Sequence, residues 1–370
     1  MIPFNVIPKT INELPYLQTA VLQRGNTDFR HKLETAFASF VGSKHALATA
    51  TAAQALQVAM KTLGVRREDL VIVPNMVSVM QIHAVKSLRA SPIMIDVNTK
   101  TWTIDVKLLE WFLHKECSTQ TGECIHESTE RRVKAIVVAH HNGNLAEMGA
   151  IMKLAKKFHL VVVEQCSEAL GSFYNGKHAG LSGHIGVFGF EGDNLIDAGT
   201  GGILFSDNEE YIKNAQRYFL ENAYRTSKTG FAVAMPEVNA ALALAQLENI
   251  PELLDQRKQI YQHYKKTLAS VKSITLQTEY EKPMFSRLVC LSEYATDMLE
   301  HLRVKGIEAK PIYAPLNRVL SFANDQYMTD QNVAVGLWLK GVCLPFHPLL
   351  TAAQIEQVKD VLEEFFFIKK

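Results

Sequence analysis

The stretch LVVVEQCSEALGSFYNGKHAGLSGHIGVFGFEGDNLIDAGTGGILF, Leu160 to Phe205, opens on four apolar residues and a glutamate and closes on ILF after a run of glycines. Leu160 to Glu164 shows no alternation of polar and apolar residues, which is the pattern of a strand buried on both faces, and Gly202 to Phe205 repeats it. Working backwards, Leu70 to Val73 (LVIV, ended by Pro74), Pro92 to Val97 and Val133 to Ala139 read the same way, and His45 to Ala50 reads as a short strand. Helical spacing fills the gaps: Asp28 to Val41 ends in Gly42, and Ala52 to Leu63 is stopped by Gly64. Short apolar strands alternating with helices indicate an α/β fold with a mostly parallel sheet covered on both faces.

The chain has 370 residues, 47% of them hydrophobic, with a formal net charge of +1. That length predicts two domains with a large core. The balanced charge argues against nucleic acid or an anionic membrane as partner. No apolar run is long enough to span a bilayer, and the first residues, with Pro3 and Pro8, do not read as a signal peptide. Five scattered cysteines suit a reducing cytoplasm.

After Phe205 the texture changes. Pro236 to Val271 reads as a long helix with a break at Pro251, followed by strand candidates at Ser273 to Leu276 and Ser286 to Ser292. A helix from Ala295 to Lys305 ends at Gly306, and a last helix starts near Thr351. The expected division is a large domain over 1–250, with an N-terminal arm, and a smaller α+β domain over 251–370. Leu113 to Arg132 reads as a polar, exposed excursion. Its His114, Cys117, Cys124 and His126 are residue types that zinc favours, but the spacing is not a common zinc pattern, so no metal is expected.

Segments such as ALATATAAQALQVAM, VIVPNMVSV, VVAHHNGNLAEMGAI, LVVVEQCSEALGSFYNGKHAGLSGHIGVFGF, NAALALAQLENI and GIEAKPIYAPL occur in one order through most of the chain. Together they resemble the DegT/DnrJ/StrS family of sugar aminotransferases. The resemblance implies the three-layer fold of type I pyridoxal-phosphate (PLP) enzymes. It also implies a dimer with sites at the interface, and transfer of an amino group to a keto sugar carried on a nucleotide.

PLP chemistry needs a lysine for the Schiff base, a carboxylate at the ring nitrogen, a stacking aromatic and donors for the phosphate. The family's lysine falls at Asp193, and no lysine occurs between Lys177 and Lys213. The serine that opens this motif falls at Phe188, and the ring-nitrogen aspartate at Gln165. The phosphate-binding S-G-T becomes Thr51-Ala52-Ala53, and the stacking pair becomes Val77-Ser78. The N-x-R that reaches into a partner's site appears as Ala232-Val233-Ala234. Some members with histidine in place of the lysine are PLP-dependent dehydratases. Here all these positions depart together, so no cofactor is expected.

The expectation is therefore a relative without PLP binding or transaminase activity, which binds a nucleotide sugar or pairs with an active paralogue in polysaccharide or sugar-antibiotic biosynthesis, as a homodimer or heterodimer. The apolar run NAALALAQL suggests helix surface for such a dimer to cover. One alternative is a PLP-independent enzyme that works on a sugar through an acidic cleft of Glu168, Glu191 and Asp193. The other is an active aminotransferase with a displaced lysine. His141, Asn142 and Tyr313 are candidates for a substrate groove, whereas His140 reads as a structural histidine and Cys166 as a small buried residue.

Overall fold

A computed structural model describes every residue except 24, 121, 193, 220–232 and 370. The apolar runs form the sheet, because a strand with no polar face can rest only between two layers. In spatial order its main strands are His45–Thr49, Gly202–Ser206, Ile185–Gly189, Val161–Gln165, Arg131–Ala139, Leu70–Pro74, Ser91–Ile95 and Gln326–Met328. From Ile185–Gly189 to Gln326–Met328 all neighbours are parallel; Gly202–Ser206 is antiparallel to both strands beside it. The result is a mixed, mostly parallel sheet between helices, the α/β fold expected from the sequence.

One strand escapes a reading from sequence. Ile185–Gly189 is buried throughout and pairs with Val161–Gln165, although its glycines make it look like a loop. Those glycines serve packing. A Cβ on Gly186 would lie 2.5 Å from the Phe205 ring, and one on Gly189 would lie 2.7 Å from Ala52 Cβ. Phe188 and Phe190 join Phe37 and Phe205 in the core, with Phe188 and Phe190 centroids 5.4 Å apart.

The long helix expected from Pro236 is two, Glu237–Leu247 and Ile250–Thr267, with Pro251 in the first turn of the second, where its missing N–H costs nothing. The apolar face of the first helix is not left for a partner. Ala240, Ala241, Leu244 and Leu247 are buried in the same core as Phe29, Leu33 and Phe37 of the helix Phe29–Val41. The excursion after Leu113 is also less exposed than its composition suggests: it forms the hairpin Cys117–Ser118 with Ile125–His126, and Cys117, Cys124 and His126 are buried.

A second, antiparallel sheet runs Thr275–Leu276, Leu288–Leu291, Gly341–Leu344 and Lys310–Pro311. Its core includes Leu288, Cys290, Val342 and Leu344 with Met298, Leu302, Val358 and Leu362 from the helices Ala295–Val304 and Ala352–Ile368. Thr351 and Gln354 close a capping box on the last helix. No described helix is long and apolar enough to cross a membrane, and all five cysteines are free and buried.

His178 makes the core around Phe37 and Phe205 of the large sheet sensitive to acid. Its Nδ1 lies 2.7 Å from the Ala179 carbonyl, and its Nε2 accepts from the Gly171 N–H at 2.9 Å, so the ring fits only when neutral. Burial pushes its pKa down to about 4, against a smaller upward pull from the Ala179 hydrogen bond. The folded pKa lies below the unfolded one, so the stabilisation is complete above about pH 6.5 and is lost as pH falls towards 4. The loss amounts to about 3 kcal/mol. Urea midpoints at pH 7.5 and 4.5 should show His178→Gln losing less on acidification than the wild type; equal losses would contradict this assignment.

Candidate active site

The parallel strands end on one edge of the sheet. Along that edge the order reverses between Arg131–Ala139 and Leu70–Pro74, since the strands that follow these two in sequence lie on opposite sides of them. A crevice forms at such a switch point. Here it is a cleft of ≈ 310 Å³, lined by Val77, Ser78 and Gln81 on one side and Ala139, His140 and His141 on the other.

Two helix N-termini face the cleft. Thr51 caps the helix Ala52–Thr62, accepting from the Gln54 N–H at 3.1 Å, and Ser78 caps Val79–Ser87, accepting from the Met80 N–H at 3.4 Å. Backbone donors and the helix dipole favour an anion there. At the first helix a carboxylate already answers: Glu191 accepts from the Ala52 N–H and lies 3.5 Å from the Thr200 hydroxyl. Burial raises the Glu191 pKa, and Asp197 adds to the rise, against the downward pull of those two donors.

Below lies a buried polar support. Glu164, near the end of Val161–Gln165, accepts from His140 Nε2 at 2.7 Å and from the N–H groups of Gly180 at 3.0 Å, Ser182 at 2.8 Å and Gly183. His140 Nδ1 accepts from the Ala146 N–H at 3.2 Å, which leaves Nε2 as the donor to Glu164. Burial alone would raise the Glu164 carboxyl; His140 and the glycine N–H groups outweigh it and hold it below its usual range. This frame sets Gln165 and Ser167 on the cleft floor. The Gln165 amide donates to Ser167 Oγ at 2.5 Å, and that oxygen accepts from the Gly189 N–H at 2.8 Å.

The far wall comes from the second sheet. Arg287, just before Leu288–Leu291, donates to Glu168 Oε1 at 2.8 Å and to the Tyr313 hydroxyl, and its guanidinium stacks 4.5 Å from the Tyr313 ring centre. His141 Nδ1 lies 3.4 Å from Glu168 Oε2. Burial acts against the charge on both Arg287 and Glu168, yet their attraction wins: Glu168 falls below its usual range, and Arg287 rises. Burial, and then Arg287, lowers the His141 pKa despite Glu168, which favours the neutral imidazole. Two acids of one cleft are thus pushed apart, Glu168 towards the carboxylate and Glu191 towards the acid.

Of the residues singled out from sequence, Ala52, Ala53, Ser78, Gln165, Glu168, Glu191, His141 and Tyr313 line the cleft. Thr51 sits behind it as a helix cap, and Phe188 is in the core. Asn142 is buried behind the wall, where its side chain bonds Gln277, Ser286 and the Arg287 N–H and its own N–H donates to Glu168. Asp193 and Ala232 lie outside the described residues. No group of three or more His, Cys, Asp or Glu among the described residues could hold a metal ion. Arg287 and Ser167 went unnoticed in the sequence, because neither stands in a motif that marks it.

Residues 14–363 match the model of the DegT/DnrJ/EryC1/StrS aminotransferase family. The chain belongs to this family. It is 27% identical over 356 residues to the GDP-perosamine synthase of Escherichia coli O157:H7, covering 94% of this chain and 92% of that protein. Among solved structures, a DegT DnrJ EryC1 StrS aminotransferase from Brucella abortus superposes with a TM-score of 0.88 at 19% identity, covering 96% of this chain and 95% of that one. An E. coli GDP-4-keto-6-deoxy-D-mannose-3-dehydratase, solved with bound hydrated PLP, matches with a TM-score of 0.84 at 19% identity, covering 98% and 100%.

These matches correct the expectation that no cofactor is used. The family and its solved neighbours are PLP-dependent, so PLP is the cofactor to expect in a chain of this family. The joint departure of the motif side chains pointed the other way, yet groups that can hydrogen-bond an anion are still present. The Ala52 and Ala53 N–H groups stand at a helix N-terminus, and Ser78, Gln165 and Ser167 line the cleft as polar side chains. Glu191 must be protonated or turn aside to admit a phosphate, and its raised pKa favours that. No lysine is among the described residues that line the cleft.

Proposed function

We propose that the cleft binds a nucleotide-linked sugar and that PLP is held beside it by hydrogen bonds rather than by a bond to lysine. The observation that carries this reading is the pairing of a connected polar far wall with a lining that holds no lysine among the described residues. Arg287, Tyr313, Glu168 and His141 form one connected polar surface at the switch point, which is suited to the hydroxyl and phosphate oxygens of such a ligand. The GDP-sugar relative makes GDP-linked sugars the first class to test. When bound, PLP supplies an electron sink for amino-group chemistry.

The chain's own groups divide the remaining work. Arg287 is held over Tyr313 by Glu168, so its fork is preorganised for an oxyanion or a sugar oxygen. Neutral His141 can accept or donate one proton at its ring. Glu191, with its raised pKa, is the group placed to give a proton. Isothermal titration with GDP-mannose and with a UDP-linked sugar tests the reading. Saturable binding of one nucleotide sugar per chain is the expected result, and no saturable binding of either would overturn it.

A further inference from the structure

A second cavity of ≈ 510 Å³ lies between the helix Ile250–Thr267 and the segment that leads into Leu288–Leu291. Arg257 lines it and is only 3% exposed. Its guanidinium stacks 5.2 Å from the Phe346 ring centre, and its buried Nε has no hydrogen-bond partner. Buried arginines are normally paired. Among the described residues none forms an ion pair with Arg257. The nearby acid Glu279 is committed to Lys265 at 2.6 Å and Tyr261 at 3.1 Å, and Glu281 is exposed.

Both acids line the cavity, yet the one charge that acts on Arg257 appreciably is positive. Burial, and then the charge of Arg287, pulls its pKa down to about 9, and burial together with Arg257 lowers His347. A guanidinium does not release its proton inside a protein, so this unfavourable balance persists until an anion offsets it. Two exposed lysines, Lys258 and Lys282, line the same cavity. A buried fork with two mobile ammonium groups at the rim is a donor set for a phosphate group: the fork fixes two oxygens, and the lysines neutralise the rest.

We propose that this cavity is a phosphate-binding site, separate from the cleft, with Arg257 as its floor and Lys258 and Lys282 at its mouth. The ligand is inorganic phosphate or a small phosphate monoester; the chemistry recognised is the same. The proposal does not depend on what the cleft binds.

The test is equilibrium dialysis of the full chain with labelled inorganic phosphate and, separately, glycerol 3-phosphate, at constant ionic strength. Wild type should bind at least one of them saturably. Arg257→Met should weaken that binding at least tenfold while unfolding at a urea concentration no lower than wild type, because it removes an unpaired buried charge and keeps the volume. Arg257→Lys keeps the charge but loses the fork. It should fall between the two, which keeps the test available if the methionine variant folds poorly. Binding of phosphate alone would identify the free ion as the ligand, and binding of both would extend the site to monoesters. Absence of saturable binding to wild type, or affinity unchanged in both variants, would overturn the proposal.

Discussion

Glu164→Gln should lower the free energy of unfolding by about 3–5 kcal/mol, read from urea midpoints near neutral pH. The carboxylate answers four donors at once: His140, Gly180, Ser182 and Gly183. An amide of the same shape offers one oxygen to two of them and turns an NH₂ group towards the others, so buried donors are left facing a donor. The His140 pairing then fails as well, and with it the link from Ala146 through the imidazole. Because the folded carboxyl lies below its usual range, its contribution is complete above the unfolded pKa and disappears as pH falls through the folded one. The difference between variant and wild type should therefore shrink in acid. A loss below about 1 kcal/mol at pH 7 would show that the loop before Ile185–Gly189 is held by something else.

Arg287→Met should weaken nucleotide-sugar binding at least tenfold, about 1.4 kcal/mol, with the fold retained. Arginine and methionine have similar stems, so packing against Tyr313 is partly kept, whereas the fork that bonds Glu168 and Tyr313 is lost. Glu168 is then left with His141 and the Asn142 N–H, its main source of stabilisation gone, and its pKa rises. Binding should consequently become more dependent on pH in the variant than in the wild type. Titration calorimetry with GDP-mannose measures both effects. An unchanged affinity would remove Arg287 from the ligand's path.

Much of this architecture could be read from the sequence because buried parallel strands are unbroken apolar runs. LVIV at Leu70, the run from Val133 and LVVVE at Leu160 all became central strands. Ile185–Gly189 could not be read this way, since its glycines answer to neighbours far along the chain: Phe205 fills the space at Gly186, and Ala52 that at Gly189. The same holds for the site. Ala52, Ser78, Gln165 and Glu168 stand at or just beyond strand ends, where a switch-point cleft draws its lining, and the first three stood out because they fall at the family's motif positions. Arg287 comes from the other sheet, 119 residues beyond its partner Glu168, and nothing local to it points towards the cleft. The cofactor could not be read for a related reason: several motif side chains depart together, whereas backbone N–H groups at a helix N-terminus, which can receive an anion, carry no side-chain signature.

The central claim is that PLP enters this cleft without a bond to lysine. The most direct measurement is the absorbance spectrum of the protein with added PLP, followed by borohydride, denaturing desalting and intact mass. The expected outcome is a cofactor spectrum perturbed by binding, in saturable proportion to the protein, and a chain mass that reduction leaves unchanged. A pyridoxyl group fixed by borohydride on any one lysine in stoichiometric amount would contradict it, as would a spectrum that the protein does not perturb at all.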